Sequence, residues 1–160
     1  MPVIQLATSI AAPVERVFDL ARSIDLHMKS TARTGERAIA GTTSGLIGLG
    51  QEVTWRARHF GVSQSLTVRI TQFEPPVHFA DIMVHGAFHR MEHHHYFEQC
   101  PEGTVMRDVF NYEAPLGILG RIAESVFLDR YMRSLLIERN RVIKATAESD
   151  SWGEYTHNPG

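Results

Sequence analysis

His89-Arg90-Met91-Glu92-His93-His94-His95-Tyr96-Phe97 is the stretch on which the reading of this chain turns. Side chains along an extended strand alternate between faces, so Met91, His93, His95 and Phe97 share one side, and Arg90, Glu92, His94, Tyr96 and Glu98 share the other. The first set is apolar with two imidazoles set into it. It predicts a strand lining an apolar interior that also requires two titratable groups, and the rest of the chain is read as the walls of that interior.

Composition sets the frame. At 160 residues, 43% apolar and 21% charged, the chain fits one globular domain with a core of useful size. That domain is expected over residues 1–148, with a flexible tail over 149–160. A formal net charge of −2 gives no basic surface for nucleic acid. No apolar run approaches the roughly 20 residues a membrane-spanning helix needs, so no stable membrane insertion is expected. The start, Met1-Pro2-Val3-Ile4-Gln5-Leu6, lacks the basic opening of a secretory signal, and a cytoplasmic location follows as the expectation. The single Cys100 sits in a predicted loop and cannot form an internal disulfide, consistent with a reducing compartment.

Working outward from residue 89, the chain reads as strands and turns between 36 and 112. Gln51–Phe60 and Val62–Phe73 flank Gly61 as a long hairpin that Glu74-Pro75-Pro76 ends. His78–Val84, a tight turn at His85-Gly86, His89–Glu98, a loop at Pro101-Glu102-Gly103 and Thr104–Tyr112 continue the meander. A first strand lies at residues 3–10, and Ala12-Pro13 opens a helix with Val14, Val17, Phe18 and Ala21 at helical spacing. Ser23 or Asp25 caps a short second helix at Leu26-His27-Met28-Lys29. The glycine-rich connection over 41–50 is no phosphate loop, because Gln51 stands where that motif carries Lys. From Ile118 to about Glu148 the pattern is helical, with Leu128, Tyr131, Met132, Leu135, Leu136, Val142 and Ile143 on one broad face and Arg139 among them. The fold class is therefore α+β: a curved antiparallel sheet of about six to seven strands wrapped around a long C-terminal helix.

That order describes a helix-grip arrangement, and particular residues sharpen it. Ile70-Thr71-Gln72-Phe73-Glu74-Pro75-Pro76 followed by Phe79 and Asp81, then Gly86-Ala87-Phe88 with Met91, His93, His95 and Phe97, then Asp108-Val109-Phe110-Asn111-Tyr112 and Pro115-Leu116-Gly117-Ile118-Leu119-Gly120, resembles the bacterial SRPBCC (START/Bet v 1-like) superfamily in its polyketide cyclase/dehydrase-like branch. The resemblance spans residues 3–147. It implies a deep apolar pocket for a small hydrophobic ligand, lipid- or polyketide-like, and no single activity, since the fold hosts transport, sensing and catalysis. Ala87 and Met91 depart from the branch, which often has Pro and an aromatic residue there; a smaller side chain at 91 widens the pocket.

The residues expected at the site are Met91, His93, His95, Phe97, Asp81, Asp108, Phe110, Arg139, Met132 and Leu135. Pairing Phe97 with Met106 sets His95 across from Asp108, and the preceding hairpin brings Asp81 close to Met91. Such carboxylate–imidazole neighbours admit three readings: a satisfied polar cluster, a device that orients a ligand hydroxyl or carbonyl, or a general base on an acidic C–H, for which His93, His95 and Asp108 are the catalytic candidates. Arg139 is either an anchor for a ligand carboxylate or phenolate or a packed stem with its head paired to an acid. No metal and no cofactor are expected: His93 and His95 share a face, but His94 points away, His89 stands two positions further along the strand from Met91, and no Cys joins them. The apolar loop Leu46-Ile47-Gly48-Leu49, with Leu116-Gly117-Ile118-Leu119-Gly120, reads as a mobile rim, a dimer contact or plain core. Reversible ligand binding leads. A cyclase- or aromatase-like enzyme and a protein- or membrane-docking module are the alternatives, with the chain a monomer or homodimer.

Overall fold

The computed structural model describes residues 2–114 and 122–157, the side chains of 122–125 excepted. The apolar run over 116–120 and the start of the terminal helix at 118 lie outside the described residues. Strand β1 (Val3–Ile10) leads into helices α1 (Val14–Ala21) and α2 (Ile24–Ser30) and then into β2 (Arg37–Gly41), β3 (Glu52–His59), β4 (Val62–Glu74), β5 (His78–Gly86), β6 (Arg90–Cys100) and β7 (Gly103–Glu113). Helix α3 (Ile122–Ala147) closes the fold. The seven strands form one antiparallel sheet in the order β1-β7-β6-β5-β4-β3-β2.

Turn chemistry fixes the register. Phe60 and Gly61 have φ of 54° and 75°, the left-handed pair that lets a two-residue hairpin follow the strand twist, and His59 pairs with Val62 across it. Gly103 opens β7 with φ of 139°. A Cβ there would stand 2.3 Å from the Ile10 carbonyl, so only glycine lets the chain pass under the end of β1. Thr104 then donates its hydroxyl to Ala12 O at 2.8 Å, tying the β1–α1 corner to the sheet.

The β6–β7 register places Phe97 opposite Met106 and His95 opposite Asp108, as the alternation predicts. The β5–β6 register differs from expectation: Asp81 faces His93, not the neighbourhood of Met91. The cause is the connection, since β5 runs on to Gly86 and the chain turns over 87–89 instead of at His85-Gly86, which shifts the partner of Asp81 along β6. These two strands pair only from His78/Tyr96 to Ile82/Glu92.

Helix α1 begins behind Pro13, whose ring is pre-set for a first turn, and buries Val14, Val17, Phe18, Leu20 and Ala21. Ser23 accepts from Leu26 N to cap α2. Phe18 is the keystone of the packed end: its ring lies 5.5 Å from Phe73, 5.5 Å from Phe79 and 5.3 Å from Phe97, the tilted and edge-on contacts that aromatic rings favour. Along α3 burial is uneven. Leu136, Ile143 and Ala147 are buried, whereas Leu128, Tyr131, Met132 and Leu135, on the same apolar stripe, are only half-buried. The sheet does not fill the space beneath that first half.

Where the sequence predicts a flexible tail from 149, the residues through His157 include a 3₁₀ turn at Trp152–Tyr155. The Arg16 guanidinium sits 4.2 Å over the Trp152 ring, a cation–π contact that ties the segment to α1.

Truncating Phe18 to Ala leaves three aromatic neighbours facing a void. Urea unfolding of Phe18→Ala is expected to show a loss of about 3–5 kcal/mol, and a loss below about 1 kcal/mol would contradict the keystone role of this ring.

Candidate functional site

Between the sheet and the first half of α3 lies a cavity of about 160 Å³, partly open to solvent. Its walls are apolar, among them Ile24, Trp55, Phe79, Met91, Phe110, Met132 and Leu135, and its polar inner end is formed by Asp81, His93, His95 and Arg139. Of the residues expected at the site, two stand elsewhere. Phe97 is packed against Phe18 and lines no part of this cavity, because α1 covers that end of β6. Asp108 lies behind the imidazoles, 1% exposed.

Asp108 is the hub. Its Oδ1 accepts from His93 Nε2 at 2.8 Å and from Arg139 Nη1 at 3.3 Å, and its Oδ2 accepts from Asn140 Nδ2 at 2.7 Å. Arg139 also donates to the Asn140 side-chain oxygen at 2.9 Å and to Ala21 O at 3.3 Å. The carboxylate thus joins β7 to β6 and to α3. Burial alone would raise the Asp108 pKa, but the two histidine hydrogen bonds and the Arg139 charge outweigh it and hold the carboxyl well below its ordinary range. Asp81, on β5, follows the same balance: burial raises its pKa, the hydrogen bond and charge of His95 lower it, and the net direction is down.

The imidazoles differ in what they can do. Burial first, then the neighbouring His95, pushes His93 down to about 4, so it is neutral at pH 7. With its Nε2 proton donated to ionised Asp108, the lone pair sits on Nδ1, for which the described residues supply no hydrogen-bond partner. His93 lines the cavity, so this lone pair is an open acceptor there. His95 is stacked 4.2 Å from Phe79 and 3.8 Å from the His93 ring, with Nε2 on Asp81 Oδ2 at 3.0 Å. Its Nδ1 faces both the Arg139 guanidinium and Asp108 Oδ1 at 3.3 Å, one able only to donate and the other only to accept. That nitrogen has a partner whether or not it carries a proton.

Asp81, His93 and His95 each offer a donor atom, all within 4.8 Å of one another, and this set could take a divalent cation. Two of its atoms are already hydrogen-bonded to each other, and the Arg139 guanidinium stands beside His95, so a cation would have to break that bond next to a fixed positive charge. His94 lies on the opposite face of the sheet, bonded to Glu92 at 2.7 Å and to His78 at 3.0 Å.

Sequence reasoning missed several residues. Asn140, next to Arg139 on α3, completes the Asp108 shell; a second polar residue beside an arginine on an apolar stripe was its only signal. Trp55, His27 and Glu36 line the cavity as well, and nothing local in the sequence links them to β6. Arg56 and Arg58 lie exposed on the outer face of the β3–β4 hairpin, bonded to Ser63 and Gly61. Of the loop read as a rim, Ile47 is buried in the cavity wall and Leu49 is exposed.

The low His93 pKa fixes the sign of a pH effect. Below its ordinary 6.5 the unfolded chain takes up a proton that the folded chain refuses until about pH 4, so stability falls as pH drops through that window. The loss from this group is expected to reach about 3 kcal/mol. The lowered carboxyl pKa values of Asp81 and Asp108 act further down: their contribution holds above the ordinary carboxylate range and is lost only as pH falls below it. Urea midpoints measured from pH 7 to 4 should drop steeply for the wild type and less for His93→Gln; parallel curves would show that His93 is not buried as described.

No protein-family model matches the chain, and no curated protein matches it. Solved structures do. The protein TTHA0849 from Thermus thermophilus is similar over 92% of this chain and all of its own, with a TM-score of 0.71 at 20% identity. One half of the two-domain ARO/CYC protein StfQ from the steffimycin biosynthetic pathway is similar over 91% of this chain and 50% of its own, at a TM-score of 0.69 and 14% identity. The ginseng major latex-like protein 151 from Panax ginseng is similar over 92% of this chain and 98% of its own, at 0.65 and 15%. At these identities the likeness is one of fold. The curved seven-stranded sheet gripping a terminal helix, with a cavity between them, is the helix-grip fold, and the chain shares it with these structures.

Proposed function

We propose that the protein reversibly binds a neutral, hydroxyl-bearing hydrophobic molecule, lipid- or polyketide-like, in the cavity between sheet and helix. The observation that carries this reading is the unpartnered Nδ1 lone pair of neutral His93 at the inner end of an otherwise apolar chamber. A ligand O–H donating to that nitrogen gains a hydrogen bond, while the walls supply the apolar burial that drives binding. Asp81 adds an acceptor: one of its oxygens receives His95, and the other has no partner among the described residues. Both guanidiniums that line the cavity are engaged, Arg139 with Asp108, Asn140 and Ala21 O and Arg22 with Asp19 and Ile47 O. No free cation remains among the described lining residues to fix a ligand carboxylate, so an alcohol or phenol suits the end better than a fatty acid.

Catalysis is the second reading, and it falls on His95. An imidazole held near 4, as His93 is, is too weak a base to take a proton at neutral pH. His95 lines the same inner end and is the other imidazole a cyclase-like reaction would use. Its signature would be turnover that disappears in His95→Ala while binding persists. Among the described residues no helix is long and apolar enough to cross a membrane, and binding of a small molecule requires none.

The test is competition against the neutral fluorophore N-phenyl-1-naphthylamine. A long-chain primary alcohol is expected to displace it, and a fatty acid of equal length to do so more weakly. His93→Ala should weaken the alcohol about fivefold to tenfold, the worth of one hydrogen bond, with the melting temperature recorded to show that the variant is folded. Leu135→Trp, which fills the cavity, should abolish fluorophore binding. Unchanged alcohol affinity in folded His93→Ala removes His93 from the site, and unchanged fluorophore binding in Leu135→Trp removes the cavity.

A further inference from the structure

A second chamber of about 220 Å³ adjoins the first. The two share Glu36, Trp55, Leu66, Phe88, Met132 and Leu135 in their walls, so they lie side by side, with the tilted Trp55 and His27 rings 4.2 Å apart and Glu36 bonded to His27 at the edge they share. The polar ends do not overlap. Asp81, His93 and His95 line only the first chamber, whereas His59 and Tyr131 line only the second.

The far pair has its own chemistry. His59 Nδ1 and the Tyr131 hydroxyl are 2.6 Å apart. Burial lowers the His59 pKa despite the opposing charge of Glu36, and burial raises that of Tyr131, so at neutral pH a phenol donates to a neutral imidazole. That assignment puts the remaining imidazole proton on Nε2, a donor with no partner among the described residues, and leaves lone pairs on the Tyr131 oxygen. Phe60 and Phe127 cover the outside, with Phe60 4.6 Å from the Tyr131 ring and 5.4 Å from that of Phe127. One end of the space accepts a hydrogen bond from a ligand and the other can give one.

We infer that the two chambers act as one space and take an elongated apolar molecule carrying an oxygen function near each end, a hydroxyl at His93 and a hydroxyl or keto oxygen at the His59–Tyr131 pair. This rests on the binding reading given above and adds to it the second oxygen and the length. The alternative, a chain with one polar head, leaves an apolar tail against the His59–Tyr131 pair and gains nothing from it.

Adding a hydroxyl to the far end of an apolar chain weakens binding unless a partner receives it, because the group must shed its water. The sign of that change is therefore the readout. Straight-chain primary alcohols and the matching α,ω-diols, from about eight to about sixteen carbons, displace N-phenyl-1-naphthylamine in parallel titrations, each carbon adding apolar burial. At the length that spans both ends the diol is expected to bind as tightly as the alcohol or up to about tenfold tighter, and at shorter lengths more weakly. Tyr131→Phe and His59→Leu should each lower the diol-to-alcohol affinity ratio at the spanning length severalfold. A diol weaker than its alcohol at every length, or a ratio unmoved by both variants, overturns the second station. Those outcomes leave the alcohol's dependence on His93 intact, whereas failure of the alcohol to bind, or to respond to His93→Ala, overturns the binding reading itself.

Discussion

The structure depends on one buried carboxylate. Asp108 lies inside the sheet with 1% of its surface exposed, and an anion there is tolerable only because His93, Arg139 and Asn140 all donate to it. Those donors come from β6 and from α3, so the charge that has to be neutralised also clamps the terminal helix to the sheet. Arg139 extends the clamp to α1 through Ala21 O. Three elements are thus held at the point where the cavity ends.

The rest of the architecture divides around that clamp. Toward α1 the space is filled by the Phe18, Phe73, Phe79 and Phe97 rings and by Leu136 and Ile143 of α3. Toward the start of α3 the same helix leaves its apolar stripe half-covered at Leu128, Tyr131, Met132 and Leu135. A core packed to ordinary density at one end permits an unfilled one at the other, since the polar clamp and not the cavity region holds the helix down. The outer face is indifferent to this: His94, His78 and Glu92 satisfy one another there.

The clamp also sets the chemistry of its own surface. Because Asp108 takes the Nε2 proton of His93, that imidazole presents a lone pair to the cavity. Burial beside His95 keeps it neutral at pH 7. A single carboxylate therefore secures the helix, fixes a histidine tautomer and ties up the arginine that would otherwise attract an acid. The stability of this end and the polarity it presents to the cavity come from the same hydrogen bonds.

What the sequence determined by itself was periodic and local. Alternation along β6 put Met91, His93 and His95 on one face; the β6–β7 pairing followed from the loop at Pro101-Glu102-Gly103; Arg139 among Leu135, Leu136, Val142 and Ile143 announced a buried cation. These were legible because they rest on side-chain period and turn geometry, which neighbouring residues encode. Tertiary structure decided the rest. The connection over 87–89 moved Asp81 opposite His93, and α1 took Phe97 into the core. Asn140 reached Asp108, and Trp55, His27, Glu36, His59 and Tyr131 came together from β3, α2, α3 and the chain before β2 to shape the space. The physical reason is that an empty volume has no periodicity of its own: its extent is whatever the curvature of the sheet and the height of the helix leave unfilled, and both are set by contacts between residues far apart in the chain.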